Sequence, residues 1–131
     1  MRMNGDYLLD SNIIIDIFRG DKKTISRVKR IDGVYVPVIV IGELYYGANK
    51  SDQTPKRKLE VEQLEEMVTV LNITRSTARI YGEIKDKLRA KGRPIPENDI
   101  WIAAISLEHQ LTLITKDKHF ENVEGINIEE F

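Results

Sequence analysis

Four apolar runs, at residues 7–9, 34–36, 70–73 and 111–114, are each too short for a stable helix and are separated by stretches with helical spacing. This alternation constrains the fold more than any other feature of the chain. Parallel strands cannot be joined by tight turns, so each crossover takes a helix and the sheet becomes covered on both faces. The predicted class is α/β, three layers with a mainly parallel sheet in the middle. In open sheets of this kind ligands bind beyond the carboxyl ends of the strands.

The crossovers can be placed from caps and apolar spacing. A helix is predicted over residues 12–19, stopped near Gly20, and Asp21 caps a second one whose Ile25, Val28 and Ile31 form a stripe. Asp32-Gly33 turns the chain, and Pro37 opens a helix with Ile41, Leu44 and Tyr45 that Gly47 is expected to end. Thr54-Pro55 starts the next, with Leu59, Leu64, Met67 and Val68 as its expected buried side. Ser76 or Thr77 opens a longer helix with Tyr81, Ile84 and Leu88 on one face, closed by Gly92, Pro94 and Pro96. A helix over 97–109 precedes the fourth strand, and residues 126–128 are expected to form a last edge strand. With no repeat or linker in 131 residues, the chain reads as one domain, 1–131.

Composition removes several functional classes. Twenty Lys plus Arg against twenty-one Asp plus Glu leave a net charge of −1, the balance of a soluble globular protein. The absence of cysteine excludes disulfides, thiolate zinc sites, iron–sulfur ligation and a cysteine nucleophile, and suits a reducing compartment. The longest apolar stretch, 34–41, contains Pro37 and falls well short of the roughly 20 residues that cross a bilayer. Arg2 is followed by Asn4, Gly5 and Asp6 rather than by the apolar core of a leader. A cytoplasmic protein with no membrane partner is expected.

Four acids stand out by position. Asp10 lies between an apolar strand and an apolar helix; because Ser11 or Asn12 could cap that helix, Asp10 is expected to be free for another task. Glu43 is a lone charge in an apolar helix, where an unpaired carboxylate would cost several kcal/mol. Asp99 falls in the first turn of a helix, where capping and the helix dipole are sufficient local explanations, and Asp117 lies in the turn after a strand. Taken together they suggest one carboxylate pocket. Oxygen ligands without cysteine or clustered histidine suit Mg²⁺ or Mn²⁺, which would relieve the mutual repulsion and activate water against a phosphodiester. His109 and His119 are ten positions apart and are read as structural or surface residues, and Tyr81 and Trp101 as core.

The segments Leu8-Leu9-Asp10-Ser11-Asn12, Gly42-Glu43-Leu44-Tyr45-Tyr46-Gly47-Ala48, Asn98-Asp99-Ile100-Trp101-Ile102-Ala103-Ala104 and Leu113-Ile114-Thr115-Lys116-Asp117-Lys118-His119-Phe120 occur in that order. In order, spacing and total length they resemble the PIN-domain ribonucleases, and among them the VapC-type toxins of toxin–antitoxin pairs. The resemblance implies a PIN-like sheet and an acidic quartet of Asp10, Glu43, Asp99 and Asp117, with Asp10 and Asp99 foremost as direct metal ligands and Thr115 and Ser11 in support. Ser11 stands where many relatives have Thr, and the hydroxyl is kept. It also implies a Mg²⁺- or Mn²⁺-dependent endoribonuclease acting on RNA, a homodimer, and inhibition by a cognate VapB-type antitoxin. An acidic centre then needs cations to hold the phosphates, and Lys22, Lys23, Arg89, Lys91 and Arg93 are the candidates for that rim.

Other readings fit less well. A haloacid-dehalogenase phosphatase wants a second Asp where Asn12 stands, and a receiver domain wants an Asp at the end of a middle strand, where residues 34–37 have none. From a different class, a catalytically silent PIN-like module could use the same acidic pocket to capture an Arg-rich partner peptide.

Overall fold

The computed structural model describes residues 6–131, so the reading of Arg2, Asn4 and Gly5 lies outside the described residues. Five parallel strands form one sheet: β1 (Tyr7–Leu9), β2 (Val34–Pro37), β3 (Thr69–Leu71), β4 (Thr112–Ile114) and β5 (Asn127–Glu129). Their spatial order is β3-β2-β1-β4-β5. The central strand is β1, paired with β2 through Tyr7↔Val34 and with β4 through Leu9↔Ile114. Its three residues are buried, as are Leu113 and Ile114 beside them, which is why these strands read as unbroken apolar runs. The parallel sheet expected from the alternation is the one observed, and β5 lies at its edge.

Six α-helices make the crossovers: α1 (Ser11–Phe18), α2 (Lys22–Val28), α3 (Val38–Lys50), α4 (Thr54–Met67), α5 (Arg75–Ala90) and α6 (Glu97–Glu108). A 3-10 helix, Lys118–Asn122, leads from β4 toward β5 and buries Phe120. The connections from β1 run to β2 on one side, and the chain later returns to β4 on the other. Strand order therefore reverses beside β1, at the kind of position where α/β sheets open a crevice.

Three expectations about the helices need correction. Gly47 does not end α3, which continues to Lys50. Glycine stops a helix by taking positive φ, as Gly20 and Gly92 do at +79° and +66°, and Gly47 does not. The core-facing side of α4 is the buried Val61 with the half-buried Leu64, followed by half-buried Val68 just past its end, whereas Leu59 is 52% and Met67 83% exposed. Leu59 precedes Val61 by two residues, about 200° around a helix, so the two cannot share a face. Helix α5 is capped by Thr74 rather than Ser76 or Thr77; Thr77 completes a reciprocal capping box by accepting from the Thr74 N–H at 3.0 Å.

Candidate active site

The end of β1 delivers Asp10 directly to the start of α1. Asp10 is only 4% exposed and, against expectation, is itself the cap: its Oδ1 accepts the Ser11 N–H at 2.7 Å. One oxygen thus satisfies the helix and the other is used elsewhere. Oδ2 accepts from the buried Thr115 hydroxyl at 2.7 Å, just beyond β4. Thr115 accepts in turn from the Asp117 N–H at 3.0 Å, and the Lys116 N–H donates to Asn12 Oδ1 at 3.2 Å. These bonds tie the ends of β1 and β4 together. Asn12 completes the network by directing Nδ2 toward Thr115 at 3.3 Å, a role its sequence position did not suggest.

The remaining acids come from other elements. Asp117 caps the 3-10 helix through the His119 N–H at 2.9 Å, so as a turn residue it keeps one oxygen for local structure. At the start of α6 no side chain caps the helix, which removes capping as the explanation for Asp99. Glu43 projects from α3; Asn98 Nδ2 donates weakly to its Oε2 at 3.5 Å, and its buried Oε1 has no hydrogen-bond partner among the described residues.

The charges of these side chains act on one another. Asp99 is pushed up to about 6, first by burial and then by the charges of Asp10, Asp117 and Glu43. Burial raises Glu43, with Asp10 adding to the effect against the opposing Asn98 bond. Asp10 is raised by burial and by Asp117, while Thr115 and Ser11 hold it down. Three elements of the fold thus deliver anions against a fourth with too few donors to satisfy them. An oxygen-rich, mutually repelling set with an orphaned buried oxygen fits a divalent cation.

Two further features were not expected. His119 lies on the surface, as read, yet its Nδ1 is 2.9 Å from Asp117 Oδ1 and 3.7 Å from Asp99 Oδ2. Only its place two residues after Asp117 could have signalled this. Beside the acids, a cleft of about 340 Å³ opens at Ser11 and Glu43 and runs between α1, α3 and α4. Its walls are largely apolar, with Ile15, Phe18, Leu44 and Val61, and Arg19 and Arg57 also line it. Tyr81 and Trp101 stack on each other at 4.0 Å between α5 and α6.

The model of the PIN domain family matches residues 7–126. Ribonuclease VapC2 of Haemophilus influenzae is 34% identical over 126 residues, which are 94% of this chain and 96% of that protein. The chain belongs to the PIN-domain family, among its VapC ribonucleases. The tRNA(fMet)-specific endonuclease VapC of Shigella flexneri is 30% identical over 95% of this PIN domain and 97% of its own length. The structure of VapBC-1 from nontypeable Haemophilus influenzae superposes with a TM-score of 0.87 at 32% identity, covering 95% of this chain and 97% of that one.

Proposed function

We propose that this PIN domain is the toxin of a type II toxin–antitoxin pair: an endoribonuclease, dependent on Mg²⁺ or Mn²⁺, that hydrolyses RNA phosphodiester bonds with water as the nucleophile. The observation that carries the reading is the buried, unpartnered Oε1 of Glu43 within a pocket of four acids on a VapC-like fold. Asp10, Glu43, Asp99 and Asp117 are assigned as the metal-holding catalytic acids. When bound, the ion would polarise a phosphoryl oxygen and make water acidic enough to be deprotonated for attack.

The chain's own groups prepare that chemistry. Thr115 and the Ser11 N–H fix both oxygens of Asp10, so the carboxylate is aimed before substrate arrives. Asn98 holds one oxygen of Glu43 and leaves the other turned inward. Lys22, Lys23, Arg89, Lys91 and Arg93 are all exposed and make no ion pair among the described residues, which supports a role in holding RNA phosphates. The apolar cleft beginning at Glu43 supports seating of an antitoxin segment next to the acids, which would block them.

The test is incubation of purified protein with RNA and Mg²⁺ or Mn²⁺, with EDTA, and with Asp10→Asn or Asp99→Asn. Cleavage should require metal and both acids, and leave 5′-phosphate and 3′-hydroxyl ends. Metal-independent cleavage or 2′,3′-cyclic phosphates would overturn the mechanism, and a protein that binds an Arg-rich peptide but cuts nothing would be the silent module. The reading includes a single domain over residues 1–131, a homodimer and a cytoplasmic location. Among the described residues no helix is long and apolar enough to cross a membrane. A monomer mass by light scattering would remove the dimer.

A further inference from the structure

We propose that His119 is a nitrogen ligand of the ion held by Asp99 and Asp117, and that it tilts the site from Mg²⁺ toward first-row transition ions such as Mn²⁺. The inference rests on the metal site proposed above and goes beyond it by naming a ligand outside the acidic quartet. Among the described residues, Asp99, Asp117 and His119 form a group whose potential ligand atoms all lie within 4.8 Å of one another. The Nδ1 of His119 is 2.9 Å from one carboxylate oxygen and 3.7 Å from another. Neighbouring ligands of an octahedral ion with bonds of about 2.1 Å are separated by about 3 Å, and opposite ones by about 4.2 Å. Both distances from His119 Nδ1 therefore fall within the spacing of one coordination sphere.

The local backbone supports this placement. The Asp117 carboxylate caps the His119 N–H, and Phe120 is fully buried immediately afterwards, so the imidazole is anchored on both sides. The side chain of His119 is nevertheless 55% exposed, which means that it is not there to fill the core. The other histidine, His109, follows the far end of α6 and faces Glu108 at 3.6 Å, so it provides an internal control. An imidazole is a poorer ligand for Mg²⁺, which prefers oxygen and water, than for the transition series.

The experiment loads the full chain with Mn²⁺ alone and records pulsed electron paramagnetic resonance, which reads nitrogen coupled to the ion. Wild type and His109→Ala should show imidazole ¹⁴N coupling that changes to the ¹⁵N pattern in protein made with ¹⁵N-histidine; His119→Ala should lose it. By calorimetry His119→Ala should weaken Mn²⁺ about tenfold or more and Mg²⁺ much less. Bound Mn²⁺ without nitrogen coupling in wild type would overturn the role of His119 and leave the acidic site standing. No Mn²⁺ binding at all would overturn both. The isotope experiment needs no substitution, so a variant that misfolds does not blunt it.

Discussion

The two ends of α6 treat a carboxylate in opposite ways. At the carboxyl end Glu108 is surrounded by donors: the hydroxyls of Thr74 and Thr77 each reach one of its oxygens and lock the start of α5 to the end of α6. At the amino end Asp99 feels the charges of Asp10, Asp117 and Glu43, opposed among the described residues by His119 alone. One acid is satisfied by the fold and holds it together; the other is left in want of a cation. The difference separates the structural carboxylate from the one proposed to hold metal better than burial does, since both side chains are similarly covered, 14% and 13% exposed.

The largest expected effect tests the amino end. Asp99→Asn and Asp10→Asn should each reduce metal-dependent RNA cleavage by more than about a hundredfold, because each removes an anion on which the ion depends. Loss of cleavage should not accompany loss of structure, and circular dichroism of the same preparations checks this. Retention of wild-type rates would make the two ends of α6 equivalent after all.

The same end should also make the metal-free protein pH-sensitive. The Asp99 carboxyl titrates near 6 when folded against its ordinary 3.8, so the folded state holds a proton that the unfolded chain has already released. The contribution of Asp99 to stability is therefore greatest below about 4, falls as pH rises toward 6, and is lower above that by about 3 kcal/mol. Unfolding midpoints in EDTA between pH 4 and 7 should show the decline, and Asp99→Asn should flatten it. Added Mn²⁺ should reverse the trend at pH 7 by binding the folded state alone.

At the other end the expected effect is smaller and purely structural. Thr77→Val removes a capping acceptor and a hydroxyl that donates to Glu108, and should cost about 1–2 kcal/mol in denaturant unfolding. The cleavage rate of the folded fraction should be unchanged. The smallest effects belong to the rim: single alanines at Lys22, Lys23, Arg89, Lys91 or Arg93 should weaken RNA binding severalfold and lower the salt dependence by about one phosphate contact each. A substitution there that leaves the salt slope untouched removes that residue from the rim.

The strands were legible because strands buried on both faces carry unbroken apolar runs, as Leu8-Leu9 and Leu113-Ile114 do. Caps were legible where one residue type dominates, as at Asp21, and misread where several compete, as at Ser76, Thr77 and Thr74. The buried side of α4 was hard to see because that helix is polar nearly all round and touches the core through Val61, Leu64 and Val68 alone. At the proposed site the four acids stand out in the sequence by their positions at strand ends and within an apolar helix. The parts that sequence reasoning missed, His119 against two acids and Asn12 against Thr115, are ordinary polar residues whose importance comes wholly from what faces them.

The order of residues by itself determined that β-forming runs alternate with helices and that an acid follows β1 and another follows β4, because those features depend on neighbours along the chain. Only the tertiary structure decided that positions 10, 43, 99 and 117 would meet. The physical reason is the placement of β1 between β2 and β4: crossovers of unequal length bring chain segments far apart in number to the same end of one sheet, where backbone pairing, and not local propensity, sets the distances.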